Sequence, residues 1–146
     1  MIFIPNNAKV SIGITQGSIY NFSPTDGIDN HYHIILNKNP KNDDQIFLVH
    51  FTTKKQKTLD FINNRNLDIS TFVEINNGEC LFLPRWEETC INCNYVKVSD
   101  INEIVDLIDN SNGSCNYSQV PESLMKRIII GVSNSKMVAN TIKTSL

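Results

Sequence analysis

The chain has 146 residues, 40% of them hydrophobic and 19% charged, a balance that fits one folded domain with a sizeable core and argues against disorder. No apolar run approaches the roughly 20 residues that span a bilayer, and Met1-Ile2-Phe3-Ile4-Pro5 has neither a basic start nor a small-residue cleavage site, so a cytoplasmic address without membrane contact is expected. A formal net charge of −2 excludes a uniformly basic surface of the kind that grips nucleic acid non-specifically.

In chain order, Val10 to Thr15 reads as a short β segment and Gly17 to Phe22 as a strand, with the break at Gln16-Gly17. Ser23-Pro24-Thr25-Asp26-Gly27 to Asn30 is a loop, because Pro, Asp and Gly each disfavour regular structure for a separate steric reason. His31 to Leu36 and Gln45 to Thr53 are rich in β-branched and aromatic residues. They flank the turn formers Asn37 to Asp44, which predicts two adjacent antiparallel strands. Lys54-Lys55-Gln56-Lys57 leads into a short helix, Thr58 to Asn64. Thr71 to Ile75 and Glu79 to Leu83 flank Asn76-Asn77-Gly78, a hairpin signal because Asn and Gly both tolerate positive φ.

Strands around Thr89 to Asn92 and Tyr95 to Val98 follow. Asp100 caps the next helix with Glu103 as its capping-box partner, and Ile101, Ile104, Val105 and Ile108 fall on one helical face. Asp109 to Asn116, with Gly113, reads as a linker. Pro121-Glu122-Ser123 opens a helix on which Leu124, Ile128 and Val132 recur every four residues. Ser133-Asn134-Ser135 interrupts it, and Lys136 to Leu146 forms a second short helix or a bent continuation. The sum is a β-rich α+β chain. Residues 1–110 form a small antiparallel barrel or bent sheet, and 117–146 a C-terminal helical extension packed on the same domain.

The four cysteines stand at 80, 90, 93 and 115. Cys90-Ile91-Asn92-Cys93 has the spacing of zinc knuckles and thiol redox motifs. Cys80 and Cys115 form no second knuckle, and the flanks of the motif read as strand and turn rather than as a helix start. With no secretory signal, the thiols are expected to be free and partly buried. A zinc protein built on Cys90 and Cys93 is the sharper alternative.

The segment Gly17-Ser18-Ile19-Tyr20, a loop, His33 to Leu36, a turn, and Ile46 to Phe51 ending at Thr52-Thr53 resembles the opening of the MazF/PemK toxins. The resemblance covers residues 17–53, and more loosely the strands up to about 98. It implies the SH3-like barrel shared with the CcdB gyrase toxins. It also implies a metal-independent endoribonuclease activity, no cofactor, a neutralising antitoxin as partner and a homodimer. Carried over by position, Thr52 or Thr53 matches the family's catalytic hydroxyl residue. His31-Tyr32 occupies the place of its loop arginine, and Asp26-Gly27 that of its glycine-rich loop.

RNA cleavage by transesterification needs a base for the 2′-hydroxyl proton, an acid for the leaving 5′-oxygen and a donor for the charge on phosphorus. Strand parity puts His31 with His33, and His50 with Thr52. If register joins the two faces, His33 and His50 are the candidate acid and base, because imidazole titrates near neutrality. Thr52 would then hold a phosphate oxygen. His31, Thr53, Lys54 and Lys55, with Lys57 beyond, are candidate RNA contacts. Arg85 and Trp86, the only tryptophan, could stack on a base or anchor a partner. A His-x-His metal site with His50 as third ligand lacks a nearby acidic second shell, so no metal is expected. Tyr20, Tyr32, Tyr95 and Tyr117 are dispersed and form no evident stacking platform.

Charge is uneven along the chain: residues 71–110 carry two Lys/Arg against eight Asp/Glu, and residues 111–146 four against one. The alternative function is therefore a catalytically silent SH3-like interaction module, whose acidic region from Glu74 to Asp109 meets a basic partner.

Overall fold

The computed structural model describes the chain apart from Met1, Asp26, Leu81, Phe82, the residues Pro84 to Glu87, Asn116 and Ser118. Helix α1 spans Asn6–Gly13, followed by strands β1 (Ile19–Phe22), β2 (His31–Ile35) and β3 (Ile46–Thr52). Helix α2 (Lys55–Asn64) and a 3-10 turn (Ile69–Thr71) lead to β4 (Phe72–Ile75), β5 (Thr89–Asn92) and β6 (Lys97–Ser99). Helices α3 (Ile101–Asn110), α4 (Glu122–Asn134) and α5 (Asn140–Lys143) complete the chain.

The strands form one open antiparallel sheet in the order β1-β2-β3-β5-β4, with β6 also on β3. Of the barrel and the bent sheet expected from the sequence, the structure has the open sheet, not a closed barrel. β3 is its hub. Residues Ile46 to Leu48 pair with β6, and Phe51 and Thr52 pair with β5, while β2 takes residues 48–50. The segment joining β5 to β6 departs from the β3 ladder between those two pairings, opposite Val49 and His50.

Both faces of the sheet are covered, which is why its strands read as near-continuous apolar runs rather than as alternation. One face packs Ile19, Ile34, Val49 and Ile91 against Leu124, Met125, Ile128 and Val132 of α4. The other packs Tyr20, Phe22, Ile35, Ile46 and Leu48 against α1 and α3. The four-residue spacing in α4 and the one-sided apolar face of α3 thus meet opposite sides of one sheet. Asp100 caps α3 as expected, its carboxylate accepting from the Glu103 amide at 2.8 Å.

Three local expectations are corrected. Val10 to Gly13, read as part of a β segment, belongs to α1. The run Val10-Ser11-Ile12-Gly13-Ile14 alternates like a strand, yet Val10 and Ile14 are buried while Ile12 is 73% exposed. One helical turn separates the first two, so packing on α3 selects the helix.

The turn at Asn76-Asn77-Gly78 forms, with Gly78 at φ +76°. The strand returning along β4 is β5, while Leu81 and Phe82 of the expected strand Glu79 to Leu83 lie outside the described residues. Glu79 is held elsewhere: its carboxylate takes two hydrogen bonds from Arg127 of α4, at 2.7 and 2.6 Å.

The expected linker at 109–116 is pinned to the sheet. Ser114 and Asn21 exchange backbone hydrogen bonds of 2.8 and 2.9 Å at the β1 edge. Gly113 lies so close to the Asn21 carbonyl that no larger residue fits there.

A three-histidine cleft as the candidate functional site

Alternation along β2 puts His31 and His33 on one face, and the β2–β3 register sets His33 directly opposite His50. The rings of His33 and His50 are 5.8 Å apart and those of His31 and His50 5.1 Å. All three histidines of the chain therefore gather in one cluster. They continue the face that carries Phe22, Ile35 and Leu48, and the Phe22 ring stacks on His33 with centroids 3.9 Å apart.

The cluster opens on a cleft of about 720 Å³. Lys97 of β6 stands beside the histidines, and Asn94, Tyr95 and Val96 reach in from the β5–β6 segment. The facing wall is apolar: Pro24 and Ile28 from the loop before β2, and Met137, Val138, Ala139 and Ile142 from the C-terminal segment. No carboxylate lines the cleft among the described residues.

Burial governs the protonation of the rings. It is the largest cause that takes His33 down to about 3, and the neighbouring His50, His31 and Lys97 charges push the same way. His50 falls to about 4, again mainly by burial and then by the charge of His31. Both rings are therefore neutral at pH 7. His33 Nδ1 lies 2.9 Å from the His31 carbonyl, which can only accept, so Nδ1 carries the proton and Nε2 is left as an acceptor. An anion entering the cleft would meet imidazoles and an ammonium, and its charge would favour protonation of the rings.

The remaining candidate residues lie elsewhere. Thr52, Thr53, Lys54 and Lys55 are not among the residues lining the cleft. Thr52 pairs with Cys90 of β5, and its hydroxyl accepts from the Lys54 amide at 3.2 Å. Lys55 turns to β4 and joins Glu74 at 2.7 Å. Arg85 and Trp86 lie outside the described residues. Lys97, Asn94 and the C-terminal wall went unread in the sequence, because only the pairing of β6 with β3 brings them beside His50.

Cys80, Cys90 and Cys93 are buried free thiols, and no set of three His, Cys, Asp or Glu among the described residues is arranged to hold a metal ion. Among those residues, too, no helix is long and apolar enough to cross a membrane.

The sheet and helices define a β-rich α+β chain, the fold class that the order of elements led us to expect. Its fold is shared with an endoribonuclease solved in complex with its cognate antitoxin from a mycobacterial species, with a TM-score of 0.52. That match covers 83% of this chain and 92% of the other at 14% identity, so the likeness is one of fold. No protein-family model and no curated protein sequence matches the chain.

Proposed function

We propose that this protein is a toxin-like endoribonuclease that works through the three-histidine cleft and is held in check by an antitoxin. The observation that carries the reading is the lining of that cleft, three imidazoles and the Lys97 ammonium, on a fold shared with an endoribonuclease; Glu103, 3.5 Å from that ammonium, is not among the lining residues.

In this reading a phosphodiester lies against His31, His50 and Lys97. Neutral His33, whose Nε2 is left as the acceptor, takes the 2′-hydroxyl proton as the 2′-oxygen bonds to phosphorus. The bond to the 5′-oxygen breaks, and His50, protonated in the field of the bound phosphate, gives that oxygen its proton. The products are a 2′,3′-cyclic phosphate and a free 5′-hydroxyl. Lys97 takes the place of Thr52, which the sequence reading had holding a phosphate oxygen, and supplies the positive charge expected there from Lys54, Lys55 and Lys57.

An antitoxin, a homodimer and a cytoplasmic setting belong to the same proposal. The exposed Ile2, Phe3, Ile4 and Ile12 supply apolar surface of the kind that protein partners cover. The alternative, an acidic interaction face, is less well supported. Glu74, Glu79 and Glu103 are committed to Lys55, Arg127 and Lys97, and Asp109 accepts from Asn6.

The test is incubation of the purified chain with single-stranded RNA and with the same sequence in all-deoxy form, followed by end-group analysis. The expected result is RNA fragments with cyclic phosphate ends, intact DNA, and a rate lower by about 10²- to 10⁴-fold in His50→Ala. RNA left intact by the wild type, or cut equally fast by His50→Ala and Lys97→Ala, would overturn the assignment.

A further inference from the structure

Tyr95 was read in the sequence as one of four dispersed tyrosines, but it stands at the mouth of the cleft and is 50% exposed. Its ring packs against Phe61 of α2 with centroids 5.0 Å apart, and the Arg65 guanidinium, one turn further along, lies 4.6 Å over the Phe61 ring. Three side chains from two elements thus form a continuous aromatic and cationic shelf. Arg65 makes no ion pair among the described residues, and the residue is exposed.

The shelf is held rigidly. The residue before Tyr95, Asn94, is almost fully buried. Its amide nitrogen donates to the Thr71 hydroxyl and the Asn92 side chain, both at 2.9 Å, and its oxygen accepts from the Ser135 hydroxyl at 2.6 Å. Every polar atom of that side chain has a partner, so the backbone carrying Tyr95 is fixed from the 3-10 turn on one side and the end of α4 on the other. An aromatic side chain kept half in water on a turn held this firmly forgoes burial it would otherwise gain.

We propose that Tyr95, backed by Phe61 and Arg65, is a base-stacking subsite for the nucleotide next to the one whose phosphate enters the three-histidine cleft. Tyr95 and Lys97 are two residues apart and both line the cleft, roughly 7 Å at full extension, which puts an aromatic face within one nucleotide of the ammonium. Stacking on such a face is tolerant of base identity, and the guanidinium behind it meets the following phosphate. The subsite rests on the RNA reading of the cleft. It selects for an unpaired base, because a base held in a duplex cannot reach the shelf.

The experiment measures binding rather than cleavage, with a fluorescent 2′-O-methyl oligonucleotide that the enzyme cannot cut. Tyr95→Ala is expected to weaken binding by about 5- to 100-fold, while Tyr95→Phe stays within about twofold of wild type. An oligonucleotide abasic at the stacked position should bind wild type as weakly as the intact one binds Tyr95→Ala. Arg65→Gln should lower the slope of log affinity against log salt by about 0.7, the value for one single-strand phosphate contact. Equal affinity of Tyr95→Ala and wild type, in a chain that binds and cleaves RNA, overturns the shelf and leaves the cleft assignment standing. A wild type that neither binds nor cleaves overturns both.

Discussion

His33 and His50 stand opposite each other across the β2–β3 ladder, their rings 5.8 Å apart, with no carboxylate lining the cleft beside them. Two imidazoles buried this way stay neutral in the fold but take up protons freely once it opens. Burial takes His33 from 6.5 to about 3 and His50 from 6.5 to about 4, so the unfolded chain binds more protons than the native one below pH 6.5. Stability that is complete above that pH is then lost as pH falls. Each ring contributes a slope of at most roughly 1.4 kcal/mol per pH unit within its window. Urea midpoints at pH 7.5 and pH 5 should differ accordingly in wild type and converge in the His33→Gln, His50→Gln double variant. An unchanged pH slope in that variant would assign the acid sensitivity to other groups.

A second prediction concerns the seat of α4. A Cβ added at Gly131 would lie 2.6 Å from the Ser70 carbonyl oxygen and 2.8 Å from the Cys93 sulfur, so the helix approaches the 3-10 turn and the end of β5 as closely as glycine allows. The first of those neighbours is backbone and cannot swing aside. Gly131→Ala should therefore destabilise by about 1–3 kcal/mol, outweighing the higher helix propensity of alanine. Denaturant unfolding measures this directly, and a stabilised variant would contradict the close approach.

The thiols give a third. Burial pushes Cys80 up to about 11 and Cys93 up to about 12, and Cys90 is raised by the same cause. Thiolate is the reactive species, so these side chains should resist a disulfide reagent at pH 8 until the protein unfolds. Native protein should show fast reaction at Cys115 at most, the one cysteine that is not buried, and denatured protein at all four. Two fast thiols in the native state would instead favour a redox or metal role for Cys90 and Cys93.

How much of this was legible in the chain depends on the range of the interaction. The cap at Asp100, the four-residue repeat in α4 and the side-chain parity of β2 and β3 are local patterns, and each was read correctly because neighbours in sequence settle it. Val10 to Gly13 is short enough to alternate like a strand and still bury one face as a helix, so local pattern alone was ambiguous there. After Asn76-Asn77-Gly78 the turn was legible but its partner was not. The strand that returns begins at Thr89, and Glu79 is drawn away by Arg127 of a helix 48 residues further on.

The same division runs through the candidate site. By itself the sequence determined a β-rich α+β chain, the strand pair carrying all three histidines, and the likeness to a toxin opening, because β-branched runs and turn formers act over a few residues. The tertiary structure alone decided that Lys97 rather than Lys55 meets the histidines, that Tyr95 joins Phe61 and Arg65, and that the C-terminal segment walls the cleft. Those placements rest on β3 pairing with β6 through one stretch and with β5 through the next. Such pairing is selected by the burial of both sheet faces together, and no short window of sequence contains it.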